Sequence, residues 1–191
     1  MSTIKYLISS TNISKLKQKA KSLKKDSDLT HTQALEVVAK QVGLDNWHQV
    51  TEANKPYQDV EKAKENGFII IYDTKDAEDF YDEQNRFTRV SEDIGLTVCR
   101  PELYNGLVNE VDDNDIAFKD KMDNAELEQF YQETYGFYDF KLYTESSIPH
   151  DINAAVELLS ACCFFQPEVI FLKGRMYNWD EIIKAAGGVT L

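Results

Sequence analysis

Along the first quarter of the chain, apolar residues recur at helical spacing; beyond it, short continuous apolar runs alternate with amphipathic stretches. Leu16, Ala20 and Leu23 share one face of a helix expected over about Ser14 to Lys25. Thr30 followed by Gln33 has the form of a capping box, in which hydroxyl and amide satisfy each other's free backbone N–H groups. The helix it opens buries Ala34, Leu35, Val38, Ala39 and Val42, and Gly43 stands where a left-handed residue closes it. Asp45 is expected to cap a short third helix carrying Trp47 and Val50, ending near Pro56. A linker is expected around Ala53–Glu65.

The remainder reads as mixed. Gly67 to Tyr72 is an apolar run suited to a buried strand. A long amphipathic helix is expected through Ala77, Phe80, Tyr81, Phe87, Val90 and Ile94, closed by Gly95, with a strand over Leu96–Arg100. Asp123 with Glu126 opens a helix carrying Leu127, Phe130 and Tyr131, and Phe137 to Tyr143 alternates as a strand. Pro149 starts a helix through Ile152, Ala155, Val156, Leu159 and Cys163; Glu168–Leu172 is a strand; Asn178 with Glu181 opens a last helix stopped by Gly187-Gly188. The expected fold class is α+β. A small three-helix N-terminal domain over residues 1–56 precedes an acidic mixed α/β domain over residues 57–191 with about four strands.

Composition fits a folded chain: 42% of residues are hydrophobic and 12% aromatic, which excludes a disordered acidic tail. No apolar run nears the roughly 18–20 residues that span a bilayer, and the first residues lack the form of a secretory leader. No membrane partner and a cytoplasmic location are therefore expected. Cys99 stands alone and Cys162 and Cys163 are adjacent, which suits buried small hydrophobes better than a disulfide framework.

Charge divides the chain. Residues 1–56 carry nine Lys against five Asp and Glu, a balance of +4. Residues 57–191 carry twelve Lys and Arg against twenty-eight Asp and Glu, a balance of −16. Two modules with different partners are expected, because the long-range field governs what each surface attracts.

Catalytic motifs are not found: the chain has no glycine-rich phosphate loop, nucleophile elbow, H-E-x-x-H or C-x-x-C. His31, His48 and His150 lack metal-ligand spacing. An EF-hand loop begun at Asp113 fails at Ala117, Phe118 and Asn124, so Asp112 to Asp115 reads as a solvated acidic loop. The carboxylates Glu78, Asp79, Asp82 and Glu83 read as the polar face of the long helix. No catalytic residue, metal or cofactor is assigned.

Binding features carry more. Lys15, Lys17, Lys19, Lys21, Lys24 and Lys25 ring the first helix and offer a phosphate-contacting surface. Asn46 and Gln49 are the residues nearest in type to base readers after a helix-turn-helix-like Ala39-x-x-x-Gly43. In the acidic module, aromatics stand among carboxylates, as in Phe80-Tyr81-Asp82-Glu83, Phe130-Tyr131-Gln132-Glu133 and Tyr135-Gly136-Phe137-Tyr138-Asp139. Asp82, Glu83, Asp112, Asp113, Asp115, Glu133, Tyr138 and Asp139 are the candidate acidic and aromatic contacts for a basic partner.

The run Lys15-Leu16-Lys17-Gln18-Lys19-Ala20-Lys21, then Thr30-His31-Thr32-Gln33-Ala34-Leu35, then Gly43-Leu44-Asp45-Asn46-Trp47 resembles a small bacterial helical domain. Its pattern is LKxxAKxLK followed by SHxQALxxxAxxxGFxxW, and it occurs in glyoxalase-related proteins and in plasmid- and phage-associated proteins of unknown function. The resemblance covers about residues 13–50, implies a bacterial or mobile-element origin, and brings no catalytic residue with it. The leading expectation is a non-enzymatic interaction protein. Its acidic domain would bind a basic or nucleic-acid-binding protein, in the manner of a DNA-mimic inhibitor of a defence complex. The alternatives are a DNA-binding transcriptional or plasmid-maintenance regulator of antitoxin-like type, using residues 1–56, and an enzyme with an unrecognised carboxylate site.

Overall fold

The computed structural model describes residues 7–188, apart from the side chains of Glu78 and Asp79, so the reading of those two as a solvated helix face lies outside the described residues. The chain divides into two compact units, residues 1–59 and 60–191.

The first unit is built from α1 (Ser10–Lys25), α2 (His31–Gln41) and the first part of α3 (Trp47–Asn66). Helix α1 starts four residues earlier than its apolar spacing indicates, because the Ser9 hydroxyl accepts from the Asn12 N–H. The capping box of α2 is present in both directions: Gln33 N–H to Thr30 Oγ1 at 3.2 Å, and Thr30 N–H to Gln33 Oε1 at 2.8 Å. Gly43 follows with φ +82°, the left-handed closing residue. Ala20 and Ala34 are fully buried and belong with Val38 to one small cluster, to which Leu16, Leu23 and Leu35 add partial cover. Ile13, Ala39, Leu44 and Val50 form a second, beside Trp47. The cap at α3 is Asn46, whose side chain accepts from Gln49 N–H at 2.9 Å; Asp45 instead holds the Gln49 amide. Buried Asn54 donates to the Ile8 carbonyl at 2.9 Å and to Ser10 Oγ at 3.1 Å, which ties the entry to α1 onto α3.

The expected linker is absent: α3 continues through Pro56 to Asn66. Proline inside a helix forfeits one N–H···O bond and costs about 3 kcal/mol. Yet Val50, Ala53, Tyr57 and Val60 keep helical spacing across it, and all four are buried. Burial of that stripe offsets the break, and the boundary between the units falls inside α3, after Asp59.

The second unit is an antiparallel five-stranded sheet in the order β2-β3-β1-β4-β5, comprising β1 (Phe68–Asp73), β2 (Phe87–Val90), β3 (Tyr138–Tyr143), β4 (Val169–Leu172) and β5 (Arg175–Tyr177). Register pairs Ile70 with Ile170 and Phe68 with Leu172. Cross-strand partners share a face, so alternate residues define two sides of the sheet. On one side, Phe68, Ile70, Tyr72, Ile170 and Leu172 pack on Ala155, Val156 and Leu159 of α7 (Ile152–Ser160) and on Ile182 of α8 (Trp179–Ala185). The opposite side meets α4 (Glu92–Asn109): Gly95 lies against the Phe140 ring and Gly106 near Met176. A one-turn helix, α5 (Phe118–Lys121), precedes α6 (Asn124–Tyr135), which joins α4 through Tyr131 Oη donating to the Leu96 carbonyl at 3.4 Å. Helices thus cover both faces of the sheet.

Two expected elements are corrected. The long helix over Ala77–Ile94 is instead a 3-10 turn at Asp76–Asp79, a loop, strand β2 and the first residues of α4. Its aromatic residues interlock with the sheet: the ring of Phe80 lies 5.7 Å from that of Tyr72, and the ring of Phe87 5.0 Å from that of Tyr143. The Asp82 carboxylate accepts from the backbone N–H groups of Arg86 and Phe87 and pairs with the Arg86 guanidinium, which closes the loop. The strand expected at Leu96–Arg100 is part of α4. Ile94, Gly95, Val98, Cys99, Leu103 and Leu107 are all buried, so a helix buried around much of its girth presents the continuous apolar run of a strand. Helix α7 ends at Ser160, and Cys162 and Cys163 lie in the turn beyond it. Helix α7 starts at Ile152 under the Asp151 cap rather than at Pro149, whereas Asp123 with Glu126 and Asn178 with Glu181 both form the capping boxes that open their helices.

Candidate functional site

The ends of several elements of the second unit meet around a cleft of about 410 Å³. Helix α4 contributes Gly106, Leu107 and its capping residue Glu110; α6 contributes Thr134 and Tyr135. Tyr138 begins β3, Glu168 and Val169 lead into β4, Met176 comes from β5, and Asn178, Trp179 and Asp180 open α8. Register places the site at one end of the sheet, since Tyr138 pairs with Asp73 and Val169 with Ile71, both late in β1.

Its electrostatics are one-sided. Glu110, Glu168 and Asp180 line the cleft, and no Lys or Arg does so among the described residues. Glu110 is exposed, and partial desolvation at the rim of the cleft raises its affinity for its proton. Glu168 is raised by burial and further by Asp76 and Asp73. Tyr138 is pushed up to about 12 by burial, with Glu168 and Asp73 adding to it. Tyr135 is also raised, by burial first and then by Glu110. Both phenols are therefore neutral hydroxyls at physiological pH. The rings of Tyr135 and Tyr138 stand 5.2 Å apart and form an aromatic wall. Among the described residues, neither the two glutamates nor the Tyr135 hydroxyl has a hydrogen bond or ion pair from its side chain.

The raised carboxylates set a stability signature. A folded-state value above the unfolded one means that the folded chain binds the proton more tightly, so stability falls as pH rises through the ordinary carboxylate range near about 4.3. Glu168→Gln removes this cost. The variant is expected to melt roughly 2–4 °C higher than the parent at pH 7.5 and to lose that advantage by about pH 4, where the parent carries the proton too. Thermal melts at the two pH values check this; an unchanged or lower Tm at pH 7.5 would contradict it.

The structure distributes the residues expected from sequence over several environments. All six lysines of α1, Lys15, Lys17, Lys19, Lys21, Lys24 and Lys25, are exposed. The acids and aromatics divide. Glu83, Asp113, Asp115 and Glu133 are exposed. Asp112 accepts from the N–H groups of Asn114 and Ile116 and pairs with Lys121, which holds its carboxyl well below the usual range and orders the loop. Asp82 and Asp139 are taken up inside the fold: Asp82 closes its loop, and Asp139, 5% exposed, lies between Arg89 and Lys141. Tyr138 is the one member of that set that lines the cleft. Of the flanking aromatics, Tyr81 and Phe137 are open to solvent, whereas Phe80 and Tyr131 pack inward. The thiols of Cys162 and Cys163 receive Arg86 and Tyr72 at 2.9 Å each, and burial raises both.

Among the described residues, no group of three or more His, Cys, Asp or Glu is placed to hold a metal ion, and no helix is long and apolar enough to cross a membrane.

Residues 7–67 match the family described as glyoxalase superfamily protein. The match extends the resemblance seen in the sequence to all of α1, α2 and α3, says nothing of plasmid or phage association, and includes none of the cleft residues. No curated protein and no solved structure matches the chain.

Sequence reading does not find Glu110, Glu168, Trp179 and Asp180. Glu110 follows a helix whose apolar run reads from sequence as a strand over Leu96–Arg100, and the others lie 58 to 70 positions further on, so no local spacing links them.

Proposed function

We propose that this protein is a non-enzymatic interaction protein whose acidic second unit binds a basic protein, while the lysine-covered face of α1 touches nucleic acid carried by the same complex. The observation that supports this most is the cleft, where carboxylates and tyrosine hydroxyls without counter-charge line a pocket in a region of balance −16. Such a field draws basic surfaces and speeds their docking. A folded acidic surface also stands in for the phosphates of DNA, so a nucleic-acid-binding protein is the partner class that suits it.

The test is fluorescence anisotropy, with the full chain titrated into a labelled lysine-rich peptide and, separately, into duplex DNA, at low and physiological salt. The peptide is expected to bind at both, more tightly at low salt. DNA is expected to bind weakly and only at low salt. Replacing Lys15, Lys17, Lys19 and Lys21 by Ala should leave the peptide unaffected and lower the DNA salt slope by about 0.9 for each phosphate that is no longer neutralised. A peptide that fails to bind at either salt overturns the reading, and a strong preference for one DNA site favours the regulator instead.

The raised carboxylates Glu110 and Glu168 favour a second reading, general acid–base catalysis at the same cleft. It requires chemical conversion of the bound molecule; mass spectrometry showing a cationic ligand unchanged after long incubation removes it.

A further inference from the structure

Three large aromatic side chains of the second unit stand open to solvent on two segments that the fold brings together. Tyr81 is 71% exposed, Phe164 84% and Phe165 43%. Tyr81 and Phe164 are eighty-three positions apart in the chain. The Tyr81 N–H, donating to the Cys162 carbonyl at 2.6 Å, joins their segments. The rings of Phe164 and Phe165 lie 5.0 Å apart, edge to face. The turn that carries them is held at several points. The Cys162 and Cys163 N–H groups donate to the Leu159 carbonyl at 2.7 and 3.0 Å, and their thiols receive Arg86 Nη2 and Tyr72 Oη at 2.9 Å each. The core takes Phe80 and Cys163 from the same two segments and leaves these three rings out. Single exposed apolar residues are ordinary on any surface, but aromatics gathered on a pinned turn mark an interaction site.

Charge decides what fits there. Between Lys75 and Arg86 the chain carries five Asp and Glu, and between His150 and Lys173 three, with no cation in either stretch. Glu83, two residues beyond Tyr81, and Glu157, one turn before Ala161, are exposed. Arg86, at the end of the loop, is engaged by Asp82 and Cys162, with 18% of its side chain exposed. Aromatic rings in acidic surroundings favour a cation with a flat face. A guanidinium stacks on rings, stays charged at any physiological pH and gives up its hydration more readily than an ammonium. The same unit uses that pairing internally: Arg100 lies 5.0 Å from the Tyr104 centroid and 4.6 Å from that of Tyr131, and Arg175 4.4 Å from that of Tyr177. A second copy of this chain does not suit the place. A twofold contact through these rings sets Glu83 and Glu157 against their own copies, in a region of balance −16. An anionic membrane surface is repelled in the same way.

We propose that Tyr81, Phe164 and Phe165 form the docking point for an arginine-bearing basic segment of a partner protein, whose guanidinium groups lie on the rings while Glu83 and Glu157 attract the flanking positive charge. The assignment rests on the reading of the acidic unit as a binder of basic proteins, and names where, and through which side chain, that partner is held. Aromatic and arginine side chains are the ones that concentrate binding energy in protein interfaces. Acids at the rim speed and orient the approach more than they hold the complex.

The full chain is titrated into a labelled peptide of alternating arginine and glycine, and into its lysine counterpart of equal length, at low and physiological salt. At physiological salt the arginine peptide is expected to bind about fivefold more tightly than the lysine peptide. Tyr81→Ser/Phe164→Ser should weaken the arginine peptide about tenfold and the lysine peptide about twofold, so that the preference for arginine is lost. Both side chains stand mostly in water, so this variant keeps the stability of the parent. Glu83→Gln/Glu157→Gln leaves the rings in place and should weaken both peptides alike, with the arginine preference kept. An arginine peptide no tighter than the lysine one, variants that bind as the parent does, or a parent that sediments as a dimer where Tyr81→Ser/Phe164→Ser is a monomer would each overturn the assignment. The two levels separate. If both peptides bind the parent and the ring variant equally, the docking point is wrong while the acidic unit remains a basic-protein binder. If neither peptide binds the parent at either salt, both are wrong.

Discussion

Gly95→Val is expected to destabilise the second unit by about 3 kcal/mol or more. A Cβ at Gly95 would meet Phe140 Cγ at 2.4 Å and its two Cδ atoms at 2.6 and 2.7 Å. Phe140 is 1% exposed and belongs to the inner strand β3, paired on both sides, so its ring has no free space to turn into. Removing a glycine from a helix interior gains about 1 kcal/mol in propensity, which the clash exceeds. Gly95→Ala should therefore already be less stable than the parent, and Gly95→Val more so. Urea unfolding followed by Trp179 fluorescence in the Trp47→Phe background measures both. A double change, Gly95→Ala with Phe140→Leu, should cost less than the sum of its parts, because the two side chains compete for one volume. A Gly95→Ala variant more stable than the parent would show that helix and sheet do not approach this closely.

Asp139→Ala carries the second large effect, a loss of about 3 kcal/mol. Asp139 lies between two cations of different standing. The Arg89 side chain is 74% exposed and its share of the pairing is screened by water, so it contributes little. The Lys141 side chain is 14% exposed, with its ammonium 2.6 Å from the carboxylate and 4.9 Å from the Phe80 centroid. Removing the acid strands that ammonium in a poorly solvated place, and this is the main cost. Asp139→Ala/Lys141→Met should recover most of it, since a buried pair is often replaced by apolar groups without loss. Denaturant melts of the two variants decide the matter. If Asp139 served as a surface contact for a partner, its replacement would shift stability by no more than about 0.5 kcal/mol.

The two predictions bear on why the second unit is hard to read from sequence. The segment from Ala77 to Arg100 carries Phe80, Tyr81, Phe87, Val90 and Ile94 at spacings that a helix accepts, followed by a run that a strand accepts. The assignment reverses in the structure because β3 pairs with Phe87–Val90, and because α4 is enclosed by the sheet and α6. Periodicity reports which faces of an element are buried. It separates strand from helix only where one face stays wet, and α4 is buried around much of its circumference. The same limit hides the continuity of α3, where a lone proline and a thin apolar stripe resemble a linker.

Where the deciding interaction is local, the sequence suffices. The capping boxes at Thr30, Asp123 and Asn178 and the left-handed Gly43 are each set within about four residues, and each forms as the sequence indicates. Strands β1, β3 and β4 follow for a related reason: their β-branched and aromatic runs have no helical alternative of sufficient length. The charge division between residues 1–56 and 57–191 is likewise a property of composition. Tertiary structure decided which of those charges are available. It withdrew Asp82 and Asp139 into ion pairs, and it brought Glu110, Glu168 and Tyr135 together without a counter-charge. Glu110 and Glu168 are fifty-eight positions apart in the chain, and it is the fold of the second unit that sets both on the lining of one cleft. A site assembled from the ends of elements has no period and no spacing, because chain closure sets its geometry.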